Sequence, residues 1–194
     1  ENLTIGNMSA SDDLVGVRVL TDSAGTTRKA PLQPTQLRAI TISGSKGARS
    51  VGVRIAASNV QATDVRARNL SDGIRVTRPG VRLSRVDVQA NSGAGVRLTG
   101  EPLAETEADS VTIDDILSQG NSDGIVYDSV DDVTVAGAQL RNNKRVGHDI
   151  VSGSSKIRIV GGSARGNGAN VRNRGIGTIM RNVSGNDARA TPAR

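Results

Sequence analysis

The sequence predicts an all-β fold, a single-stranded parallel β-helix (solenoid) of about eight turns with roughly 22 residues per turn. Three observations support this: a frame of apolar residues recurs along the chain, a column of asparagines keeps step with it, and helical spacing is nowhere sustained. Each repeat holds short stretches of alternating apolar and polar residues, separated by turn residues. Strands this short, recurring at this interval, do not suit a sandwich but fit one solenoid turn.

The recurring frame places apolar residues at the first and third positions of each repeat, and small or apolar residues at the sixth and eighth. The repeats begin at Leu3, Ile40, Val60, Val81, Val111, Val133, Ile157 and Ile176. Successive turns lie about 4.8 Å apart, so inward side chains stack into aliphatic ladders. We expect residues 1–187 to form this solenoid and 188–194 a polar tail. Extra residues near 20–37 and 99–110 are expected to project as loops.

A column of asparagines occupies the eleventh position of the later repeats: Asn91, Asn121, Asn143, Asn167 and Asn186. Earlier repeats carry Asp13 or Ser50 there, or Asn69 one place early. Asparagine tolerates the left-handed backbone of a sharp turn, and stacked amides can hydrogen-bond along the axis. The column therefore predicts a structural ladder rather than a catalytic set.

Composition limits both the core and the partners. The 194 residues include no Phe, Trp or Cys, and Tyr127 is the one tyrosine, so the core must consist of Val, Ile, Leu and Ala. Disulfides and cysteine metal sites are excluded. No apolar run approaches the roughly 20 residues that cross a bilayer, so no membrane insertion is expected. The lack of aromatic residues disfavours nucleic acid and neutral-glycan clefts, because both use aromatic stacking.

A repeated Gly-apolar-Arg-apolar motif is the most specific chemical feature, in a chain of net charge +6. If the flanking apolar residues point inward, Arg54, Arg75 and Arg97 point outward from three successive turns. Stacked like charges need compensation, from acids such as Asp64 and Asp87, from a polyanion or from a partner chain. Arginine binds carboxylate, sulfate or phosphate bidentately, so these arginines are candidate ligand-binding residues. A solvated basic face with salt bridges is the alternative.

Two segments, "NSDGIVYDSVDDVTVAGAQLRNN" and "DIVSGSSKIRIVGGSARGNG", resemble the right-handed parallel β-helix superfamily of pectate lyases, polygalacturonases and phage tailspike proteins. The resemblance covers essentially the whole chain, and its motif is architectural. It implies a right-handed solenoid and a role in cleaving, epimerising or binding acidic or neutral polysaccharides. It also implies a trimer if the chain is a phage protein.

Candidate catalytic residues follow from the same resemblance. The segment Asn121–Gly124 is similar to the Asn-Thr-Asp-Gly of polygalacturonases, which makes Asp123 a candidate, and "GHD" adds His148 and Asp149. The sequence departs from that family where an Asp-Asp pair is required, and Ser-Asp-Gly also occurs at 71–73 as an ordinary turn. His148 falls near an inward column, so a structural role is equally expected.

A lyase would need a cation to neutralise the uronate carboxylate, and a base. Calcium could supply that cation, but the carboxylates available to bind it match no known calcium loop. These carboxylates are Asp114, Asp115, Asp128, Asp131 and Asp132. No other metal or cofactor is expected.

Two function classes remain open. The first, which we favour, is a structural and polysaccharide-recognition module of a virion tail spike, fibre or surface protein, binding an anionic glycan or partner chains through the arginine column. The second is a polysaccharide lyase, hydrolase or epimerase. An apolar strand at Leu3 would leave an open sheet edge, so we expect part of a larger protein or an assembly such as a homotrimer. The expected location is extracellular or on a virion.

Overall fold

The protein is a parallel β-solenoid in a computed structural model that describes residues 3–8, 14–20, 33–44, 50–100 and 110–185. The predicted all-β solenoid class is confirmed, with about 6 turns of about 24 residues. The predicted eight turns of roughly 22 residues differ slightly from this, because the repeats vary in length. Asn91 and Asn121, on adjacent turns, are 30 residues apart, whereas Asn121 and Asn143 are 22 apart.

Two parallel sheets run along the solenoid. The first sheet contains ten strands, and the second contains seven. The strands of the first sheet are β1 (Leu3–Met8), β3 (Thr35–Gly44), β5 (Val60–Arg68), β7 (Val81–Gln89), β9 (Val111–Gln119), β11 (Asp131–Ala136), β12 (Gln139–Arg141), β14 (Ser155–Val160), β15 (Ser163–Arg165) and β17 (Ile179–Arg181). Those of the second are β2 (Val15–Leu20), β4 (Val51–Ala56), β6 (Asp72–Val76), β8 (Ala94–Thr99), β10 (Asp123–Asp128), β13 (Val146–Ile150) and β16 (Ala169–Asn173).

The aliphatic core lies between these sheets and consists of stacked Val, Ile, Leu and Ala, with Tyr127 fully buried among them. The predicted frame holds from Val60 to Ile157 but is shifted at both ends, since Ile176 pairs with Ser155 rather than with Ile157. Ile40 pairs with Val65, and Thr35 with Val60. An apolar-x-apolar pair occurs twice in each repeat, five residues apart, so the apolar pattern alone fits either register.

Left-handed backbone recurs at several columns of turn residues, two of which bear on the sites described below. One lies within the first sheet and holds Ala39, Asp64, Arg85, Asp115, Gly137 and Gly161. The other lies just before the asparagine ladder and holds Asn69, Ala90, Gly120, Asn142 and Gly166. The ladder asparagines themselves have no positive φ. The sequence argument therefore placed the left-handed turn one residue too late.

The glycine of the Gly-apolar-Arg-apolar motif is required by close approach of the turns. A Cβ on Gly73 would lie 2.6 Å from the carbonyl oxygen of Gly95, closer than real Cβ atoms come. This packing fixes the register of the second sheet and the outward direction of its arginines.

In the described ranges no helix is long and apolar enough to cross a membrane. The predicted polar tail and most of the two predicted loops lie outside the described residues. The first loop was predicted to extend to about residue 37, but β3 already begins at Thr35.

Candidate polyanion-binding face

The arginine column of the second sheet is formed by Arg18, Arg54, Arg75 and Arg97, which pair in register on β2, β4, β6 and β8. The three arginines singled out in the sequence thus occupy successive turns, and Arg18 extends the column by one. Neighbouring turns are about 4.8 Å apart, so these guanidinium groups crowd together. We call this set the arginine column.

Asp72 is the carboxylate that compensates part of this charge. Its side chain is 2% exposed and accepts hydrogen bonds from Arg75 Nη2 at 2.6 Å, Arg97 Nε at 3.0 Å and the backbone amide of Ala94 at 2.9 Å. Burial alone would raise the pKa of Asp72, but the bonds and charges of Arg97 and Arg75 outweigh it and hold that pKa below its usual range.

The carboxylates expected to compensate the column serve the first sheet instead. Asp64 pairs with Arg85, with Nε 2.7 Å from Oδ1, and Asp87 pairs with Arg68 at 2.9 Å. Both pairs lie on the opposite side of the solenoid, so neither neutralises the arginine column.

Arg54 lacks such a partner. Its Nε is buried and, among the described residues, makes no hydrogen bond. Arginines of the adjacent turns flank it on both sides in the column. Within the described ranges, Asp72 is thus the only carboxylate that forms ion pairs with the column, and it contacts Arg75 and Arg97 but neither Arg18 nor Arg54. A buried donor beside like charges is costly unless an anion binds it.

Beyond β8 the position of the arginine column is no longer always occupied by arginine. Val126 takes the arginine place on β10, Asp149 on β13 and Arg172 on β16. Arg172 holds Asp149 through two hydrogen bonds, one from Nε at 2.7 Å and one from Nη2. Arg174 adds a longer contact of 3.9 Å to the same carboxylate. Asp149 is therefore neutralised by its own arginines.

Asp123 lies on the same outer face, in register with Ala94 and Val146. Its side chain is 6% exposed, and Arg145 Nε approaches its Oδ1 at 3.6 Å. Within the described structure this oxygen has no hydrogen-bond partner. Burial raises the pKa of Asp123; Arg145 opposes the rise, and the nearby Asp149 adds to it. The site thus contains a carboxyl group that is only partly stabilised in its charged form.

His148 is separated from these two carboxylates. It lies in the inward column between Ile125 and Val171, is 1% exposed, and shares a hydrogen bond of 2.9 Å between Nδ1 and the hydroxyl of Tyr127. Burial lowers the pKa of His148 to about 3 and raises that of Tyr127. The three candidate catalytic residues are therefore split, with Asp123 and Asp149 outside and His148 in the core.

The asparagine ladder lies along the turn between the two sheets. Each side-chain oxygen accepts from the backbone and amide nitrogens of the asparagine before it, from Asn91 to Asn121, Asn143 and Asn167. Leu70 occupies the first place, and its amide donates to Asn91 Oδ1 at 3.0 Å. Ser50 lies elsewhere, bonded to the amide of Ser71. Asn186 lies outside the described residues.

The carboxylates considered for calcium do not converge. Asp114 pairs with Arg82 at 2.8 Å, and Asp131 pairs with Lys156 at 3.0 Å. No group of three His, Cys, Asp or Glu side chains in the described ranges could hold a metal ion. These residues do not fit a calcium site, and we derive no chemistry through one.

Asp72 and Arg172 are residues of this face that the sequence did not single out, as are Arg18 and Arg145. The signal for Asp72 was present, because an aspartate three residues before the arginine in "DGIR" reaches the same outer face. It was interpreted as an ordinary Asp-Gly turn. Arg172 sits in "NVRN", which lacks the motif glycine.

Comparisons with known proteins agree with the architecture. No protein-family model matches the chain, and no curated protein matches it. A solved structure, the crystal structure of the periplasmic alginate epimerase AlgG, is similar with a TM-score of 0.54 and 12% sequence identity, over 78% of this chain and 43% of that chain. The chain thus spans less than half of that protein. At this identity the likeness shows the fold alone, and this chain has the right-handed parallel β-helix fold predicted from its repeats.

Proposed function

We propose that this protein binds an anionic, uronate-containing polysaccharide along the arginine column. The observation that carries the proposal is the unbalanced column: within the described ranges four guanidinium groups are stacked, one carboxylate forms ion pairs with two of them, and the buried Nε of Arg54 has no hydrogen-bond partner there. An external anion bound along the outer face of the column would supply the missing negative charge. Charge-assisted bonds of this kind are among the strongest that arginine makes.

A linear polymer fits the geometry better than a single small anion. The arginines recur at the turn spacing of about 4.8 Å along the solenoid axis, so they can meet successive acidic groups of one chain. Arginine recognises carboxylates bidentately. The similar solved structure is of an alginate epimerase, a periplasmic protein. We extend both points to this chain and propose an extracytoplasmic protein that interacts with polysaccharide.

Calorimetric titration with a polyuronate, and with a neutral polysaccharide as control, tests this. We expect saturable, salt-sensitive binding of the polyuronate only. Arg54→Ala should raise Kd by about 10-fold or more, since hydrogen bonds to charged groups contribute about 1.5–3 kcal/mol.

Arg85→Ala is the matched control, because Arg85 is an exposed arginine on the first sheet that already pairs with Asp64. Equal losses in both variants would show unspecific charge attraction and contradict the proposal.

A second function, epimerase or lyase activity, is favoured by one observation. Asp123 has a raised pKa, a buried oxygen without a hydrogen-bond partner in the described structure, and Arg145 beside it. A carboxyl group with a raised pKa, placed beside an arginine-bound substrate, is suited to removing the proton next to a uronate carboxylate. The adjacent arginines would neutralise that carboxylate.

Incubating the protein with a polyuronate in D2O tests this second function. Deuterium entering at C5, or unsaturated product absorbing in the ultraviolet, is expected if Asp123 acts in this way, and Asp123→Asn should abolish it. Binding without exchange or product would exclude catalysis on that polymer and leave the binding proposal intact.

The tail-spike, virion and trimer expectations remain predictions. Light scattering tests the trimer directly, and a well-behaved monomer would contradict it.

A further inference from the structure

A second polar groove lies on the first sheet, opposite the arginine column. It has a volume of about 630 Å³ and runs between β12 and β15. Arg141, Asn142, Ser163, Arg165 and Ser184 line it, with glycines at its floor. Ligand sites in proteins usually have volumes of about 300–1,000 Å³, so the groove is large enough for a small sugar.

The groove exists because glycines replace charged residues at one bend. The left-handed column of the first sheet carries Asp64, Arg85 and Asp115 in three successive turns, and then Gly137 and Gly161. The three charged side chains are exposed at the bend. Gly137, which lines the groove, has no side chain and leaves the surface open there.

Arg141 and Arg165 form the charged wall of the groove. They pair in register on β12 and β15, so one guanidinium lies above the other. Arg141 donates to the side-chain oxygen of Gln139. Neither arginine has an ion pair within the described residues.

An earlier turn of the solenoid has a carboxylate that neutralises its arginine, and the groove lacks the equivalent group. Arg68, in the same column, is neutralised by Asp87 on the next turn at 2.9 Å. The place equivalent to Asp87 holds Ser163 beside Arg141 and Ser184 beside Arg165. Two hydroxyl groups thus occupy the positions at which a carboxylate would neutralise the arginines.

We propose that this groove is a separate binding site for an acidic sugar, with the carboxylate on Arg141 and Arg165 and the sugar hydroxyls on Ser163, Ser184 and Asn142. Two adjacent guanidinium groups without an internal acid are suited to one carboxylate. The neutral hydroxyl and amide groups around them are suited to a polyol. This site is independent of the arginine column, which lies on the other sheet.

A trigalacturonate titration followed by ¹H–¹⁵N correlation spectra tests the site, with inorganic sulfate as the second probe. We expect saturable shifts of the backbone amides of Arg141, Ser163 and Arg165. Arg165→Ala, an exposed position, should weaken these shifts by about 10-fold in Kd.

Gly137→Asp should abolish the shifts by placing a carboxylate in the groove. The fold should accept it, because Asp115 adopts the same left-handed conformation in this column and a Cβ at 137 would come no closer than 3.8 Å to its neighbours. If this variant were nevertheless unfolded, Arg165→Ala would still decide the question.

Arg54→Ala is the matched control and should leave these amide shifts unchanged. Absent shifts, shifts unaffected by Arg165→Ala, or equal affinity for sulfate and trigalacturonate would overturn the proposal. Failure of the arginine column to bind polymer would appear separately, as an unaltered polyuronate titration in Arg54→Ala while the groove amides still respond.

Discussion

The buried histidine makes acid stability the sharpest test of the structure. His148 is the one histidine of the chain, and burial lowers its pKa to about 3, against 6.5 for an exposed imidazole. In the folded protein it stays neutral, whereas the unfolded chain binds a proton below pH 6.5. Its contribution to stability is therefore fully present above pH 6.5 and is lost as the pH falls from 6.5 toward 3.

The size of the effect follows from this pKa difference. Each pH unit within the window costs about 1.4 kcal/mol of unfolding free energy, so moving from pH 7 to pH 5 should remove about 2 kcal/mol. Asp72 and Asp131 act in the same direction but only near and below pH 4, because their pKa values are lowered from an already acidic 3.8. Asp123 acts in the opposite direction, because its pKa is raised.

Urea unfolding followed by far-ultraviolet circular dichroism at pH 7, 6 and 5 measures this loss. The double variant Tyr127→Phe with His148→Leu removes the imidazole without leaving the buried tyrosine hydroxyl unpaired. Its unfolding free energy should be nearly constant over the same pH range. A flat profile in the natural protein, or an unchanged slope in the double variant, would refute the reasoning.

Five further substitutions test the ladder, the column and the turns. Asn121→Ala should destabilise by about 4 kcal/mol because several buried partners lose their bonds, whereas Asn167→Ala, half-buried near the ladder's end, should cost about 1 kcal/mol by urea unfolding. Asp72→Asn should lower the unfolding free energy by about 2 kcal/mol, a loss limited by solvent screening because Arg75 and Arg97 are about one-third exposed. The same variant should bind polyuronate more tightly, as measured by calorimetry. Gly73→Ala should lower the unfolding free energy by about 3 kcal/mol, because the added Cβ would clash with the next turn. Gly161→Ala should lower it by only about 1 kcal/mol, because the space around Gly161 is open and only its left-handed backbone opposes a side chain. Equal losses in the two variants would contradict the packing described here.

The fold could be predicted from the sequence because a parallel solenoid places equivalent residues of successive repeats directly above one another. Period-two stretches, the asparagine column and the Gly-apolar-Arg-apolar motif are all consequences of that stacking. Register could not be predicted as well, since Ile40 and Ile42 fit two places in the frame equally. The number of turns was also hard to predict, because the repeats vary in length.

The candidate site was harder to predict because its chemistry depends on contacts between columns. The sequence indicated that Arg54, Arg75 and Arg97 stack outward, but not that the acid beside them would be Asp72. Asp64 and Asp87 also flank these arginines in the sequence, but they lie on the other sheet. Likewise, "GHD" placed two candidates side by side in sequence, yet adjacent residues of a strand face opposite sides, so His148 and Asp149 are separated.

Charge balance distinguishes the two surfaces on which we expect ligands from the rest of the solenoid. Over much of the first sheet arginines meet a carboxylate of a neighbouring turn, as Arg68 and Arg85 do. At the arginine column and at the polar groove, the in-register neighbour is another arginine. Stacking like charges costs stability that the fold could recover with a single aspartate in the right column, as it does elsewhere. These two surfaces therefore carry stacked positive charge that an external anion can neutralise, and binding should stabilise the solenoid as well as hold the ligand.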